Sequence, residues 1–228
     1  MVPKEFSCLA YWQERYKELE PALTCKATSF EEYHTWQNGF REKFIECLGK
    51  MPSNTLSLDV KVLEEVEAET YTRKKIRYTA DGYSQIPAYL FIPKDVDSPV
   101  PGVMCPHGHG RGKLDPSGIA EADWEKDHIK GYNYNYAEQF ASHGYVVIAP
   151  DLRCFGERID DPDEVYGHVE IVEGDHWCDI NFILGMLIGY NLLSLHIFDI
   201  GRGIDVLQSL EEVIPDRIGC VGGVRGEC

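Results

Sequence analysis

The sequence predicts an α/β fold, a mainly parallel sheet flanked by helices with a helical extension in front of it. Three observations lead there. Short apolar runs at 99–106, 145–150 and 218–222 read as buried strands, each followed by a glycine-bearing turn. Segments with helical spacing separate these runs, and strands that alternate with helices build parallel sheets. The first fifty or so residues differ: they carry aromatics at helical spacing and no strand pattern.

Taken in order, Phe6, Leu9, Ala10, Tyr16 and Leu19 follow a helical period up to Pro21. Ser29 with Glu32 three residues on is a capping box that starts a second helix. The apolar stripe of that helix is Tyr33, Trp36, Phe40, Phe44 and Leu48, and Gly49 suits its C-terminal cap. Residues 1–58 are therefore assigned to a helical extension docked on a main domain, and residues 59–228 to that domain. From Val60 the period shortens. Thr72–Thr79 and Gln85–Pro93 read as strands joined through Asp81-Gly82, a hairpin signal. After the 99–106 strand, Asn135–His143 reads as a helix ended by Gly144, and Tyr145–Pro150 as a fully buried strand. The most apolar window, Ile180–Leu193, contains Asn181 and Asn191 and falls short of the roughly 17–25 apolar residues of a membrane span. It is read as a buried helix, with Gly185 and Gly189 allowing close packing. A helix over Ser194–Leu210 precedes the last strand, although Gly201 and Gly203 each cost it about 1 kcal/mol relative to alanine.

Composition narrows the function classes. Hydrophobic residues make up 43% and aromatics 11%, which suits a globular core. The net charge of −16 opposes a polyanion, so no nucleic-acid partner is expected; the acidity reads as a solubility feature. None of the eight cysteines forms Cys-x-x-Cys, which argues against a zinc ribbon. Cys105 and Cys220 fall in predicted buried strands. The N-terminus lacks a basic segment followed by an apolar one. A cytoplasmic protein without a membrane partner is the expectation.

Three turns carry the chemistry. They sit at the C-terminal ends of predicted parallel strands, the edge where open α/β sheets bind ligands. The first is His107-Gly108-His109-Gly110, whose glycines let backbone N–H groups converge on an anion. Such a donor, preorganised for an oxyanion, is worth about 2.7–4 kcal/mol. The second is Asp151-Leu152-Arg153-Cys154-Phe155-Gly156-Glu157. The third is Gly222-Gly223-Val224-Arg225-Gly226, a Gly-x-x-x-Gly turn in which a serine hydrolase would carry Gly-x-Ser-x-Gly.

With these residues in hand, the chain resembles the α/β-hydrolase superfamily, and within it the dienelactone hydrolase and acetyl-xylan-esterase-like branch. The resemblance rests on Pro106–Gly110, Ala149–Glu157, Phe198–Arg202 and Asp216–Gly222 and covers about residues 70–226. It implies ester hydrolysis by a Ser-His-Asp triad, a small-molecule ester substrate and no cofactor. It maps the oxyanion hole onto the backbone of Gly108 or His109 and of Arg225, and the nucleophile onto Val224. His107, Arg153 and Phe155 become pocket-lining candidates.

The match breaks at Val224, which has no lone pair to attack a carbonyl. In this superfamily the acid and histidine follow the nucleophile, and only Arg225, Gly226, Glu227 and Cys228 follow here. The expectation is an incomplete α/β-hydrolase fold, truncated at the nucleophile turn and inactive as written. Ser117, Ser142 and Ser194 lack the context of such a turn. A non-catalytic pseudoenzyme or binding module is the alternative. A metal-dependent hydrolase using His107, His109, His168, Asp175, His176 and Cys178 is a weaker one, because the spacing fails the helical His-Glu-x-x-His pattern; no metal is assigned. Finally, 218–222 is apolar, uncharged and without proline, so self-association through an exposed sheet edge is expected.

Overall fold

The computed structural model describes residues 3–53, 56–97, 99–160 and 177–223. They form two compact units, 1–47 and 48–228. The first unit holds helices α1 (Cys8–Lys17) and α2 (Phe30–Leu48). Ser7 caps α1 through its side chain, which accepts from the Ala10 N–H. Ser29 Oγ likewise accepts from the Glu32 N–H, and the Glu32 carboxylate reaches back to the Thr28 N–H at 2.8 Å. The aromatic stripe is present as a run of neighbouring rings, Trp36 to Phe40 at 5.4 Å and Phe40 to Phe44 at 6.2 Å. Among the residues of α2, only Leu48 is buried.

The second unit is a six-stranded sheet in the order β1-β2-β3-β5-β4-β6. Its strands are β1 (Lys61–Glu67), β2 (Tyr71–Asp81), β3 (Ser84–Pro93), β4 (Val100–Met104), β5 (Val146–Pro150) and β6 (Val213–Cys220). β2 pairs antiparallel with both β1 and β3, and β3 pairs antiparallel with β5; β5, β4 and β6 pair parallel. The expected parallel sheet is thus a mixed one, with its parallel half carrying the three turns. Alternation along the strands builds two cores. Ile76, Ile86, Met104, Val146 and Ile148 face one side and meet Phe198, Val206 and Leu207 of helix α6 (Leu192–Gln208). Phe91, Val103, Val147 and Ala149 face the other and meet Ala137 and Ala141 of helix α4 (Tyr136–Ser142). Gly203 sits where α6 crosses β4: a Cβ there would lie 2.2 Å from the Met104 methyl. The propensity lost at that glycine is the condition for close packing. Gly201 has open space beside it, and nothing in the structure explains it.

Several readings need correction. Ile180–Leu193 is not one buried helix. Helix α5 (Trp177–Leu187) ends before Gly189, whose φ is +83°, and α6 begins at Leu192. No residue of α5 is buried, and Phe182, Ile183, Leu184, Met186 and Leu187 are exposed. An all-round apolar helix presents more surface than its packing on α6 covers. Cys220 is exposed rather than buried, because β6 is the last strand of the sheet. β6 also starts earlier than expected and passes through Pro215, which falls in the irregular stretch between Val213 and Ile218 where no pairing with β4 is made. Helix α3 (Asp123–Tyr132) was not anticipated; the Glu125 carboxylate accepts from the Ala122 N–H at 2.9 Å, and Asn133 closes the helix in the left-handed region.

Candidate active site

The sequence of β4 delivers Pro106–Gly110 to the sheet edge, and the residues after β6 arrive beside it. Gly108 packs so closely on Gly223 that a Cβ would lie 2.2 Å from the Gly223 carbonyl oxygen. Two tyrosines fasten the pair. The Tyr136 hydroxyl donates to the Pro106 carbonyl at 2.6 Å and accepts from the Gly223 N–H at 3.3 Å. The Tyr134 hydroxyl accepts from the Gly108 N–H at 2.8 Å. The rings stack with centroids 5.8 Å apart, and burial raises the Tyr136 phenol above its ordinary range. The Gly108 N–H, one of the two oxyanion donors offered by the resemblance at this turn, is therefore engaged by a phenol. His109 is exposed on the same turn.

His107 is buried and both its ring nitrogens are committed. Nε2 accepts from the Leu152 N–H at 3.0 Å, so Nδ1 carries the proton and donates to the Gly108 carbonyl at 2.6 Å. Burial pulls its pKa down, against the opposing pull of that carbonyl and of Asp151. His107 thus ties the β4 turn to the β5 turn as a neutral imidazole. Phe155 sits edge-on to both His107 and His109, with centroids at 5.0 and 5.2 Å.

The β5 turn is organised around an inaccessible carboxylate. Asp151 accepts from the Lys113 N–H (2.7 Å), the Lys113 ammonium (2.6 Å) and the Glu157 N–H (3.1 Å). Lys113, itself 2% exposed, also reaches the Glu157 carboxylate. Gly112 (φ +68°) and Gly156 (φ +57°) flank Asp151, and a Cβ on either would lie 2.2 Å from its Oδ1. Only glycine fits both demands.

Arg153 is held by a second buried acid. Its Nε and one terminal nitrogen donate to the two Asp199 oxygens at 2.9 and 3.0 Å, a bidentate pair, and that terminal nitrogen also reaches Asp81 at 3.0 Å. Arg158 donates to Asp199 at 2.7 Å. His196 lies 3.2 Å from the Arg153 carbonyl through Nε2, and burial lowers its pKa to about 4. Arg153 borders a recess of about 500 Å³ whose walls include Leu56, Tyr83, Ile188, Tyr190 and Leu195. Of the three pocket-lining candidates, Arg153 lines this recess, while His107 and Phe155 pack between the turns.

Val224 and Arg225, the nucleophile position and the second oxyanion donor, lie outside the described residues, as do His168, Asp175 and His176. Ser117 is buried and its Oγ has no hydrogen-bond partner; Ser194 donates to the Asn191 carbonyl at 2.6 Å and to that of Lys50. Ser142 meets Thr70 at 3.2 Å. None of the three stands at the turns. No group of three or more His, Cys, Asp or Glu suited to a metal ion occurs among the described residues. Nor is any described helix long and apolar enough to cross a membrane.

Sequence reasoning passed over Lys113, Tyr134 and Tyr136. Lys113 carried one usable signal, a lysine inside the glycine-rich Gly110-Arg111-Gly112-Lys113 run. The tyrosines carried none, because only the packing of α4 under the turn gives their hydroxyls a role.

Comparison with known proteins agrees with this fold. "Putative hydrolase YtaP" of Bacillus subtilis (strain 168) is 27% identical over 187 residues, 82% of this chain and 56% of that protein. A solved structure described as a putative acetyl xylan esterase from Bacteroides fragilis NCTC 9343 superposes with a TM-score of 0.75 at 20% identity, over 98% of this chain and 57% of that one. A glucuronoyl esterase from Solibacter usitatus gives 0.52 at 15% identity, over 90% of this chain and 59% of that one. The chain spans somewhat over half the length of these relatives, and the two structures share its fold. The model of the Abhydrolase family matches residues 5–171, and the chain belongs to that family.

Proposed function

We propose that the three turns are the first part of a carboxylic ester hydrolase site, and that residues 1–228 do not turn over esters by themselves. The observation that carries the first half is the abutment of Gly108 on Gly223, which joins the β4 turn to the turn after β6. An acyl-transfer site needs that pairing, with an oxyanion donor on one turn and the nucleophile on the next. The resemblance to acetyl xylan and glucuronoyl esterases favours a small ester substrate. The oxyanion donors assigned to it are the backbone of Gly108 or His109 and of Arg225. Since Tyr134 engages the Gly108 N–H, His109 is the better candidate at the first turn.

The inactivity reading rests on Val224 at the proposed nucleophile position and on the commitment of the histidines nearest the turns among the described residues. The buried His107 and the half-buried His196 both have Nε2 committed to backbone partners. The same commitment removes His107 as a metal ligand, which weighs against a metal-dependent hydrolase.

The test is hydrolysis of p-nitrophenyl acetate by purified 1–228. No turnover above the blank is expected, and Val224→Ser alone is expected to leave it so, because His107 and His196 are tied to backbone partners and not free to take the serine proton. Saturable turnover blocked by a fluorophosphonate refutes the proposal. The recess beside Arg153 favours a second reading, a non-catalytic binding module. A saturable rise in melting temperature with an acetylated sugar that is recovered unchanged supports that reading over a hydrolytic one.

A further inference from the structure

Arg153 stands between two recesses of opposite character. The first, of about 500 Å³, is the one walled by Leu56, Ile188, Tyr190 and Leu195. The second, of about 330 Å³, is walled by Ser84, Gln85, Glu157, Arg158, Asp160 and Asn181. Arg153 and Tyr83 line both, so the two adjoin. Helix α5 joins them as well: Asn181 lines the polar recess, and Gly185, one turn on and about 6 Å further along the axis, lines the apolar one. Tyr83, at the tip of the β2–β3 hairpin, is fully exposed. The polar recess carries two guanidinium groups, yet their charge is spent. Arg153 pairs with Asp199 and Asp81, Arg158 pairs with Asp199, and Glu157 pairs with Lys75. Asp160 adds a negative charge that has no ion pair among the described residues. Without a spare cation, the recess favours hydroxyl groups over a phosphate or carboxylate.

We propose that the two recesses form one binding site for an uncharged amphiphile, an apolar ring or chain joined through an oxygen to a hydroxylated ring such as a sugar. The apolar half fills the first recess against Leu56, Ile188 and Leu195, which removes apolar surface from water. The hydroxylated half lies in the second, against the Asn181 amide and the paired charges. At the junction, the Arg153 terminal nitrogen that bonds neither Asp199 nor Asp81 donates to the linking oxygen. The Tyr83 ring covers the junction, with an apolar face for one half and a hydroxyl for the other. The site binds and takes no part in turnover, so it stands or falls separately from the ester-hydrolase reading.

Equilibrium dialysis of 1–228 against p-nitrophenyl β-D-glucopyranoside, which contains no ester, tests the site. Saturable binding is expected. Methyl β-D-glucopyranoside and p-nitroanisole, the two halves apart, should each bind about tenfold more weakly or worse, since linking lets one half hold the other in place. The corresponding p-nitrophenyl β-D-glucuronide differs by a carboxylate and should also lose about tenfold or more. Tyr83→Ala removes an exposed ring and leaves the core intact, and it should weaken the glucoside roughly twofold to twelvefold. Ile188→Glu, also at an exposed position, sets a charge in the apolar recess and should weaken the glucoside while leaving methyl glucopyranoside unchanged. The proposal is overturned by any of four results: no saturable glucoside binding, a glucuronide that binds as well as the glucoside, either half binding as well as the whole, or both variants binding like the wild type.

Discussion

Lys113→Met isolates the buried ion pair beneath the β5 turn. Methionine keeps the length and much of the apolar stem of lysine but removes the ammonium. In the wild type that ammonium lies 2.6 Å from Asp151, with Lys113 2% and Asp151 0% exposed. Without it, the Asp151 carboxylate retains only the backbone N–H groups of residues 113 and 157 as donors, at 2.7 and 3.1 Å. A charge buried with one partner deleted costs about 3–5 kcal/mol. At about 2–4 °C per kcal/mol for a domain of this size, Tm should fall by roughly 6–20 °C. That is a large share of a total stability of about 5–15 kcal/mol. Urea unfolding followed by circular dichroism gives the free energy, and a thermal scan gives Tm. Adding Asp151→Asn removes the stranded charge, so the double variant should be less destabilised than the sum of the singles. The coupling should fall near the upper end of about 0.5–3 kcal/mol. A loss for Lys113→Met under about 1 kcal/mol, typical of an ordinary substitution, or strict additivity in the double variant, would refute the idea that this pair organises the turn.

Other perturbations test the remaining parts of the site. Gly108→Ala should separate the two turns, since its Cβ cannot lie 2.2 Å from the Gly223 carbonyl; amide exchange at residues 104–110 and 220–223 should accelerate if that contact holds the turns together. Desolvation of the half-buried His196 lowers its pKa to about 4, so it stays neutral in the fold while the unfolded chain takes a proton near pH 6.5. Its stabilising contribution is therefore full above about pH 6.5 and is lost as pH falls towards 4, by about 3 kcal/mol in all. His196→Gln should flatten that part of the stability–pH curve, and an unchanged slope would count against it. The chain should self-associate through the β6 edge, and Gly219→Lys should raise the monomer fraction in size-exclusion chromatography: its Cβ meets nothing within 4 Å, so a charge can stand there without a clash. A wild type that elutes as a sharply melting monomer would remove that edge from consideration.

The fold was legible where one physical signal dominated. Val146–Pro150 is apolar at every position and is buried at every position, because it sits inside the sheet with a core on either face. The β2–β3 hairpin followed from Asp81-Gly82 and the alternation on either side of it. What the sequence hid depends on partners brought together by the fold. The apolar character of Ile180–Leu187 suggests burial, yet a helix with apolar residues on every side cannot bury them all against one neighbour. Cys220 reads as core only if a further strand lies beyond it.

The candidate site shows the same division more sharply. Gly108, Gly112 and Gly156 could be noticed in the sequence, but their reasons differ and only coordinates separate them. Gly108 makes room for the Gly223 carbonyl, whereas Gly112 and Gly156 make room for the Asp151 carboxylate. His107 reads as chemistry because histidine titrates near neutrality and stands in a glycine turn. Its two ring nitrogens instead join the Gly108 carbonyl to the Leu152 N–H, and burial keeps it neutral. Arg153 reads as a pocket cation, yet a bidentate bond to Asp199 and a third to Asp81 occupy most of its donors. The residues that look reactive in the sequence thus serve as struts between β4, β5 and α6. In the proposed site this leaves backbone N–H groups, rather than these side chains, as the candidate oxyanion donors. Replacing His107 should cost stability before it costs any ester-binding capacity, and His107→Gln, which can imitate one of its two bonds, should cost less than His107→Ala. Equal losses for the two variants would mean that the imidazole is not acting as a strut.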